Sequence, residues 1–149
     1  MIDGVIITPL KRIQDEYGEV MHMLRSDAPH FKQFGEVYFS VTNPGVVKAW
    51  KLHKEMTLNI AVPFGSLDFV IYDPRPSSST YQQIFIKKLG PENYDLLTVP
   101  NGVWAGVKAY QGQPAILANC ASLVHDNNEV ERLEKNDPFI SFDWNKVGL

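Results

Sequence analysis

Cysteine and histidine are scarce in this chain, and their scarcity limits the chemistry that it can carry. One cysteine among 149 residues leaves no partner for an intramolecular disulfide. Together with only four scattered histidines, it excludes a cysteine-rich zinc site. Cys120 lies in the apolar segment AILANCASLV, so we expect it to be a small buried core residue.

Long apolar runs, basic clusters and the usual phosphate or nucleophile motifs are also missing. No apolar stretch is long enough to span a bilayer, so we expect neither a signal peptide nor a membrane partner. A net charge of −3 without a basic patch does not indicate nucleic-acid binding. The chain has no glycine-rich phosphate loop and no Gly-x-Ser-x-Gly turn, so neither a P-loop nor a serine nucleophile is indicated. We expect a cytoplasmic protein without a cofactor.

Short β-strand patterns are what the chain does contain. Segments rich in β-branched and aromatic residues recur between turns that hold glycine or proline. The predicted strands are residues 5–8, 20–24, 36–41, 46–53, 58–62, 67–72, 81–89, 96–99, 103–110 and 115–121. We interpret residues 10–19 as a loop, with a helical turn at 10–17 as the alternative. Residues 26–34 are the place for a short helix, and we expect the charged tail from 124 to dock through its aromatic end at 139–144. This pattern predicts one domain over residues 1–149, an all-β antiparallel jelly-roll barrel with little helix.

The strand predicted at residues 46–53 carries a distinctive pair of ionisable side chains. Strict alternation puts Lys51 and His53 on one face and Lys48 and Trp50 on the other. If the first face points into the barrel, Lys51 and His53 project into a pocket. The alternative is that they face solvent. For Trp50, packing in the core or in a dimer interface is the expected role.

Jelly-roll proteins of the cupin type carry their metal-binding residues in two sequence motifs, so a metal site can be sought at the corresponding segments of this chain. The first motif would span residues 45–65, with Lys51 and His53 at the paired histidine positions. The second would be residues 100–105, with Ala105 where a histidine belongs. A single possible ligand out of four does not hold a first-row metal ion. We therefore predict no metal.

Several unrelated blocks of this chain occur together in one known family. They are residues 7–20, 35–57, 62–83, 96–110 and 137–144. In this order they resemble the dTDP-4-dehydrorhamnose 3,5-epimerase-like family, cupin-fold proteins of nucleotide-sugar metabolism. The resemblance implies a homodimer and a role in deoxysugar or surface-polysaccharide biosynthesis. It also implies a ligand that is a 4-keto-6-deoxy sugar linked to dTDP.

The resemblance further implies a catalytic His–Asp pair, which removes the proton next to the ketone, and a tyrosine that returns one. The corresponding positions hold other residues, namely Lys51 for the base, Phe69 for the aspartate, and Leu123 or Val124 for the tyrosine. His53 is the remaining histidine on the predicted pocket face. The usual catalytic residues are therefore not retained, although the scaffold is.

Two hypotheses follow for the function. In the first, the protein is an epimerase-type isomerase in which Lys51 and His53 form a rebuilt acid–base set. Lys51 then acts as a base, as a Schiff-base nucleophile, or as the charged group at the keto oxygen. The alternative is a non-catalytic nucleotide-sugar-binding or structural cupin. Under both hypotheses the predicted binding residues are Lys48, Arg25, Tyr38 and Trp104, the first two for the diphosphate and the aromatic residues for stacking.

Overall fold

Two five-stranded antiparallel sheets and one small hairpin form the protein, for which a computed structural model describes residues 1–149. The strands are β1 Ile6–Pro9, β2 Arg12–Asp15, β3 Gly18–Met21, β4 Glu36–Thr42, β5 Val47–His53, β6 Leu58–Phe64, β7 Leu67–Tyr72, β8 Ile84–Leu89, β9 Asp95–Val99, β10 Trp104–Ala109, β11 Ala115–Ala121 and β12 Val130–Arg132. A 3-10 turn at Trp144–Lys146 is the helical element. No helix has the length and apolar character needed to cross a membrane. The all-β prediction is confirmed.

The order of the strands is that of a jelly roll. The first sheet runs β1-β9-β6-β11-β4, the second runs β12-β5-β10-β7-β8, and β2 pairs with β3 alone. Consecutive strands such as β4 and β5, or β5 and β6, lie in opposite sheets. The turn from β6 to β7 depends on Gly65, whose φ is +69°, and a Cβ there would lie 2.2 Å from the carbonyl oxygen of Pro114. Only glycine fits this crossing.

Two apolar clusters lie on opposite sides of the second sheet. Leu67, Phe69 and Ile71 of β7 point between the sheets into the main core. Their neighbours Val70 and Tyr72 point outward, as the alternation of a strand requires. The outer cluster, which we call the tail cluster, joins the following residues: Trp50, Val70, Tyr72, Trp104, Ile140, Trp144 and Val147. The C-terminal tail therefore covers the second sheet, as its aromatic residues predicted.

The sequence-based strand assignment was wrong in several places, one of which is β12 at Val130–Arg132, a strand that was interpreted as part of the charged tail. The segment predicted as a loop at residues 10–19 holds most of the β2–β3 hairpin. The tip of the hairpin is closed by Asp15 Oδ1, which accepts the N–H groups of Tyr17 and Gly18 at 2.8 and 3.0 Å. The hairpin is exposed, and its two strands have only four residues each, so alternation did not reveal it. Residues 26–34 contain turns but no helix. The strand predicted from residue 81 begins at Ile84.

Candidate active site between the two sheets

A β-bulge in β5 decides which side chains face the space between the sheets. Lys51 pairs with Ala105 of β10, and Lys48 pairs with Val107. Gly106 alone therefore lies opposite two residues of β5, Ala49 and Trp50. The extra residue shifts the alternation by one position. Lys48 therefore lines the same cavity as Lys51 and His53, and the alternation expected for this strand was wrong at this point.

The bulge also explains where Trp50 lies. Its side chain is 1% exposed and sits in the tail cluster, with ring centroids 4.9 Å from Trp144 and 6.0 Å from Phe142. Gly106 makes room for this arrangement, because a Cβ there would lie 2.6 Å from the Cβ of Ala49 and 2.9 Å from the Trp144 ring. The aromatic packing outside the sheet thus holds the bulge that orients the lysines inside it.

The inner face of β5 borders a cavity of about 120 Å³. Its apolar lining comes from the main core and includes Leu58, Ile60, Phe69, Val107 and Leu117. Its polar lining consists of Tyr38, Ser40, Lys48, Lys51 and His53. Two outer grooves of about 530 and 360 Å³ meet it at Lys51. A ligand with an apolar end and a charged end would suit this arrangement.

His53 is hydrogen-bonded to Glu129, a residue of the segment just before β12. His53 Nδ1 lies 2.8 Å from Glu129 Oε2, and the two side chains are 13% and 10% exposed. The other oxygen, Oε1, accepts the backbone N–H groups of Glu55 and Met56 at 3.0 and 2.8 Å. Pairing of β12 with β5 places Val130 opposite His53 and so holds the carboxylate in reach.

The charge of Glu129 fixes the proton on His53. Burial raises the pKa of this carboxyl, but the hydrogen bonds from His53 and from two backbone N–H groups outweigh it and bring the pKa below its ordinary value. An ionised carboxylate only accepts hydrogen bonds, so Nδ1 carries the hydrogen. Nε2 makes no hydrogen bond within the chain. It is therefore the ring nitrogen left for a ligand at the cavity.

Three cations stand beside this base without an acidic partner. Arg132 of β12 pairs directly opposite Lys51 in the sheet. Lys48 Nζ donates hydrogen bonds to Ser40 Oγ and to the Val41 carbonyl. None of the three cations forms a salt bridge. Partial burial, then the charges of Arg132 and Lys48, lower the pKa of Lys51, which remains open to solvent at the mouth. The inner cavity, which is lined by Lys48 and Lys51 and by no carboxylate, is thus arranged to receive an anion.

Tyr38 lines the cavity from the opposite sheet, on β4. Its hydroxyl oxygen accepts a hydrogen bond from Asn119 Nδ2 at 2.9 Å. Asn119 is fully buried, and its Oδ1 accepts the backbone N–H of Asn59 at 3.1 Å, which fixes the orientation of the amide. The proton of the Tyr38 hydroxyl is therefore left for a ligand.

Comparison with known proteins shows which protein family this chain belongs to. The family model described as dTDP-4-dehydrorhamnose 3,5-epimerase matches residues 1–149. The chain belongs to this family. It is accordingly a dTDP-sugar epimerase-like or isomerase-like protein, and the predicted family and cupin-type jelly roll are confirmed.

Several relatives of this epimerase family member match over nearly their whole length. The crystal structure of a dTDP sugar isomerase from Desulfovibrio desulfuricans G20 is 45% identical, with a TM-score of 0.94 over 97% of this chain and 92% of that one. The probable low-salt glycan biosynthesis epimerase Agl13 of Haloferax volcanii is 32% identical over 97% of this chain and 95% of its own. The spore coat polysaccharide biosynthesis protein SpsL of Bacillus subtilis is 29% identical, covering 97% of both chains.

Two of the predicted binding residues of this epimerase family member lie outside the cavity. Trp104 follows the inward-facing Val103, so it points outward into the tail cluster, where it is 6% exposed. Trp104 therefore neither fills nor lines the cavity. Arg25 is exposed after β3 and pairs with Asp27 at 2.6 Å. Any ligand contact by Trp104 or Arg25 stays a prediction.

Sequence reasoning missed Glu129 and Arg132, because both lie in what was interpreted as a charged tail. The one local signal is the alternation Glu129-Val130-Glu131-Arg132 after a turn, which is typical of a short edge strand. No pattern links Glu129 to a histidine 76 residues away. The structure also contains no group of three or more His, Cys, Asp or Glu side chains that could hold a metal ion. The absence of a metal or cofactor stays a prediction.

Proposed function

We propose that this protein is an epimerase-type isomerase that binds a dTDP-linked 4-keto-6-deoxy sugar and exchanges the proton next to its ketone. The observation that carries the proposal is the His53–Glu129 pair at the cavity between the sheets. Family membership supplies the substrate class. The two curated relatives, which are named for coat polysaccharide and glycan biosynthesis, support a role in making a surface polysaccharide or glycan.

The proposed chemistry begins with removal of a proton by His53. A carbon next to a ketone gives up its proton only to a positioned base, and the developing enolate oxygen needs a partner. Nε2 of His53 takes the proton, while Glu129 holds the tautomer and stabilises the imidazolium that forms. Lys51 stands beside the same cavity and meets the oxygen of the enolate. Lys51, which stands at the position where the family has its base, thus supplies the cation. The proposed base, His53, lies two residues further along β5.

Binding of the substrate follows from the distribution of charge and apolar surface. Lys48 and Arg132 flank Lys51 at the outer grooves, and their unpaired charges suit a diphosphate. The apolar interior formed by the core residues suits the deoxy end of the sugar. This arrangement directs the sugar into the cavity and leaves the nucleoside outside.

Deuterium exchange tests the proposal. The probe dTDP-4-keto-6-deoxyglucose is incubated with the protein in deuterated water, and loss of the C3 and C5 proton signals is followed by NMR. Wild type is expected to exchange at least one position, and His53→Asn to lose roughly 10²–10⁴-fold in rate. His22→Asn, a histidine outside the cavity, is the matched control and should retain the wild-type rate. Absence of exchange by wild type, or an undiminished rate in His53→Asn, contradicts the proposal.

A second candidate function is binding of a nucleotide sugar without catalysis. It is favoured by Lys51 and Phe69, which stand where the family resemblance implies a base and its aspartate. Under this candidate, titration calorimetry shows binding of the probe, and wild type gives no deuterium exchange. Lys48→Ala would then weaken binding of the probe. It would show no change in deuterium exchange, because wild type has none.

The protein is proposed to act as a homodimer in the cytoplasm. Val37, Phe39 and Val41 alternate along the outer face of the edge strand β4 and are 48%, 67% and 54% exposed. An apolar edge of this kind is normally covered, and a second copy of this chain is the expected cover. Sedimentation of wild type as a dimer, and of Phe39→Asp as a monomer, is the expected result. A wild-type monomer at micromolar concentration contradicts it.

The single cysteine is compatible with a reducing compartment.

A further inference from the structure

We propose that Trp144 is a positioning residue, which packs on Trp50 outside the second sheet and thereby holds Lys48 on the cavity side of β5. The inference rests on the proposed function only for the role of Lys48 at the diphosphate. The packing itself belongs to the protein without any ligand, so the two proposals are tested apart.

The side of β5 on which Lys48 lies depends on one extra residue. Strict alternation would put Lys48 on the face opposite Lys51. Because Gly106 lies opposite both Ala49 and Trp50, the alternation shifts, and both lysines line the cavity. Without the extra residue, Lys48 would point to the outer face of the sheet, where the tail cluster packs.

Trp50 is the residue of this bulge that the C-terminal tail contacts. Its backbone N–H donates to the Leu133 carbonyl at 2.8 Å, and the Leu133 N–H donates to the Trp50 carbonyl at 3.2 Å. Trp50 is 1% exposed, and its ring centroid lies 4.9 Å from that of Trp144. Moving Trp50 out of the bulge would break these contacts and expose a large apolar side chain, which is unfavourable in proportion to the area exposed.

Trp144 is itself fixed by hydrogen bonds. Its Nε1 donates to the Lys135 carbonyl at 3.1 Å, and its own carbonyl accepts from Lys108 Nζ at 2.8 Å. Beyond it, the N–H of Gly148 donates to the buried Asp68 Oδ2 at 2.7 Å. The tail is therefore anchored to the second sheet past Trp144, and the indole cannot leave the bulge without breaking these bonds.

On the cavity side, Lys48 has defined partners. Its Nζ donates to Ser40 Oγ at 3.2 Å and to the Val41 carbonyl, both on β4 of the opposite sheet. The side chain thus bridges the two sheets and keeps its charge beside Lys51. Trp144 lines neither the cavity nor the two outer grooves, so it acts on a ligand only through Lys48 and the bulge.

A double-mutant cycle on the binding of dTDP tests this role. Titration calorimetry gives the Kd of dTDP for wild type, Lys48→Ala, Trp144→Leu and the double variant. Each single variant should weaken binding about tenfold, the value of one charge-assisted hydrogen bond from Lys48. Adding Lys48→Ala to Trp144→Leu should then change the Kd by less than about twofold, because the lysine no longer reaches the ligand.

Phe139→Leu is the matched control. Phe139 is another aromatic residue of the tail, but it packs on Tyr72, with ring centroids 6.0 Å apart, and not on Trp50. Phe139→Leu should bind dTDP like wild type, and Lys48→Ala should keep its effect of about tenfold in that background. An equal effect of Lys48→Ala in wild type and in Trp144→Leu overturns the role of Trp144.

The ligand-free crystal structure of Trp144→Leu separates this inference from the proposed function. Lys48 is expected outside the cavity, and a Lys48 that still contacts Ser40 overturns the inference whether or not dTDP binds. Wild type that does not bind dTDP contradicts the proposed function, and the position of Lys48 then decides this inference. If Trp144→Leu does not fold, Lys108→Met removes the donor at the Trp144 carbonyl and takes its place in the cycle. Non-additivity with Lys48→Ala is again expected, and additivity again overturns the role.

Discussion

Replacing Glu129 by alanine should destabilise the fold as well as the site. The carboxylate accepts three hydrogen bonds, from His53 Nδ1 and from the backbone N–H groups of Glu55 and Met56. A buried donor left without a partner costs about 1–3 kcal/mol. Glu55 is exposed and water can replace its partner, but Met56 and His53 are largely shielded. We therefore expect a loss of about 3 kcal/mol at neutral pH, or about 6–12 °C in Tm for a domain of this size.

The pH dependence of this loss follows from the lowered pKa of Glu129. A carboxyl whose pKa is lower in the folded state stabilises the fold at pH values above its unfolded pKa, about 4.5 here. That contribution disappears as the pH falls through the folded pKa. The difference in stability between wild type and Glu129→Ala should therefore be complete at pH 7. It should shrink as the solution is made more acidic than pH 4.5.

Urea unfolding followed by the fluorescence of the three tryptophans measures both effects. Glu131→Ala is the matched control, because Glu131 lies two residues away and pairs only with Lys54, at 3.8 Å and about half exposed. It should change the free energy of unfolding by less than about 1 kcal/mol. A Glu129→Ala variant as stable as the control at pH 7, or a difference that persists unchanged in acid, refutes the reasoning.

Three further predictions concern separate parts of the molecule. Asp73→Asn should lower the free energy of unfolding in urea by about 3–5 kcal/mol, because the buried carboxylate accepts hydrogen bonds from Arg75 and two hydroxyls; equal stability contradicts this. Gly106→Ala should lose about 1–3 kcal/mol by overpacking and alter tryptophan fluorescence, because its Cβ meets the Trp144 ring; a wild-type spectrum and stability contradict it. Lys51→Ala should slow deuterium exchange without changing the circular dichroism spectrum, whereas Lys51→Arg should keep part of the rate; full activity in Lys51→Ala argues against a site role.

The strands of the two sheets were largely predictable, because a half-buried strand imposes a period of two on its sequence. The main core at Leu67, Phe69 and Ile71 follows directly from that period. The bulge in β5 was not predictable, since an extra residue is a property of two paired strands. Gly106 is the one sequence hint, because a glycine within a strand often marks a bulge or a close approach. Missing the bulge put Lys48 on the wrong face.

Only part of the candidate site was predictable, because the remainder depends on the pairing of two strands that are distant in the sequence. His53 and Lys51 stand out on one strand, and the family resemblance drew attention to them. Glu129 became visible only when β12 paired with β5, a contact between distant parts of the chain. Trp104 was predicted to stack on the ligand because its side chain is aromatic. It follows the inward-facing Val103, so its own side chain points outward and packs in the tail cluster.

Whether His53 reaches the reacting carbon is tested by a crystal structure of the protein with a dTDP-linked 4-keto-6-deoxy sugar. We expect the sugar to lie between the sheets, with C3 or C5 about 3–3.5 Å from His53 Nε2. We also expect the diphosphate to contact Lys48 or Arg132. A sugar bound outside this cavity, or one whose C3 and C5 both lie beyond reach of His53, would contradict the proposed role of His53 as the base.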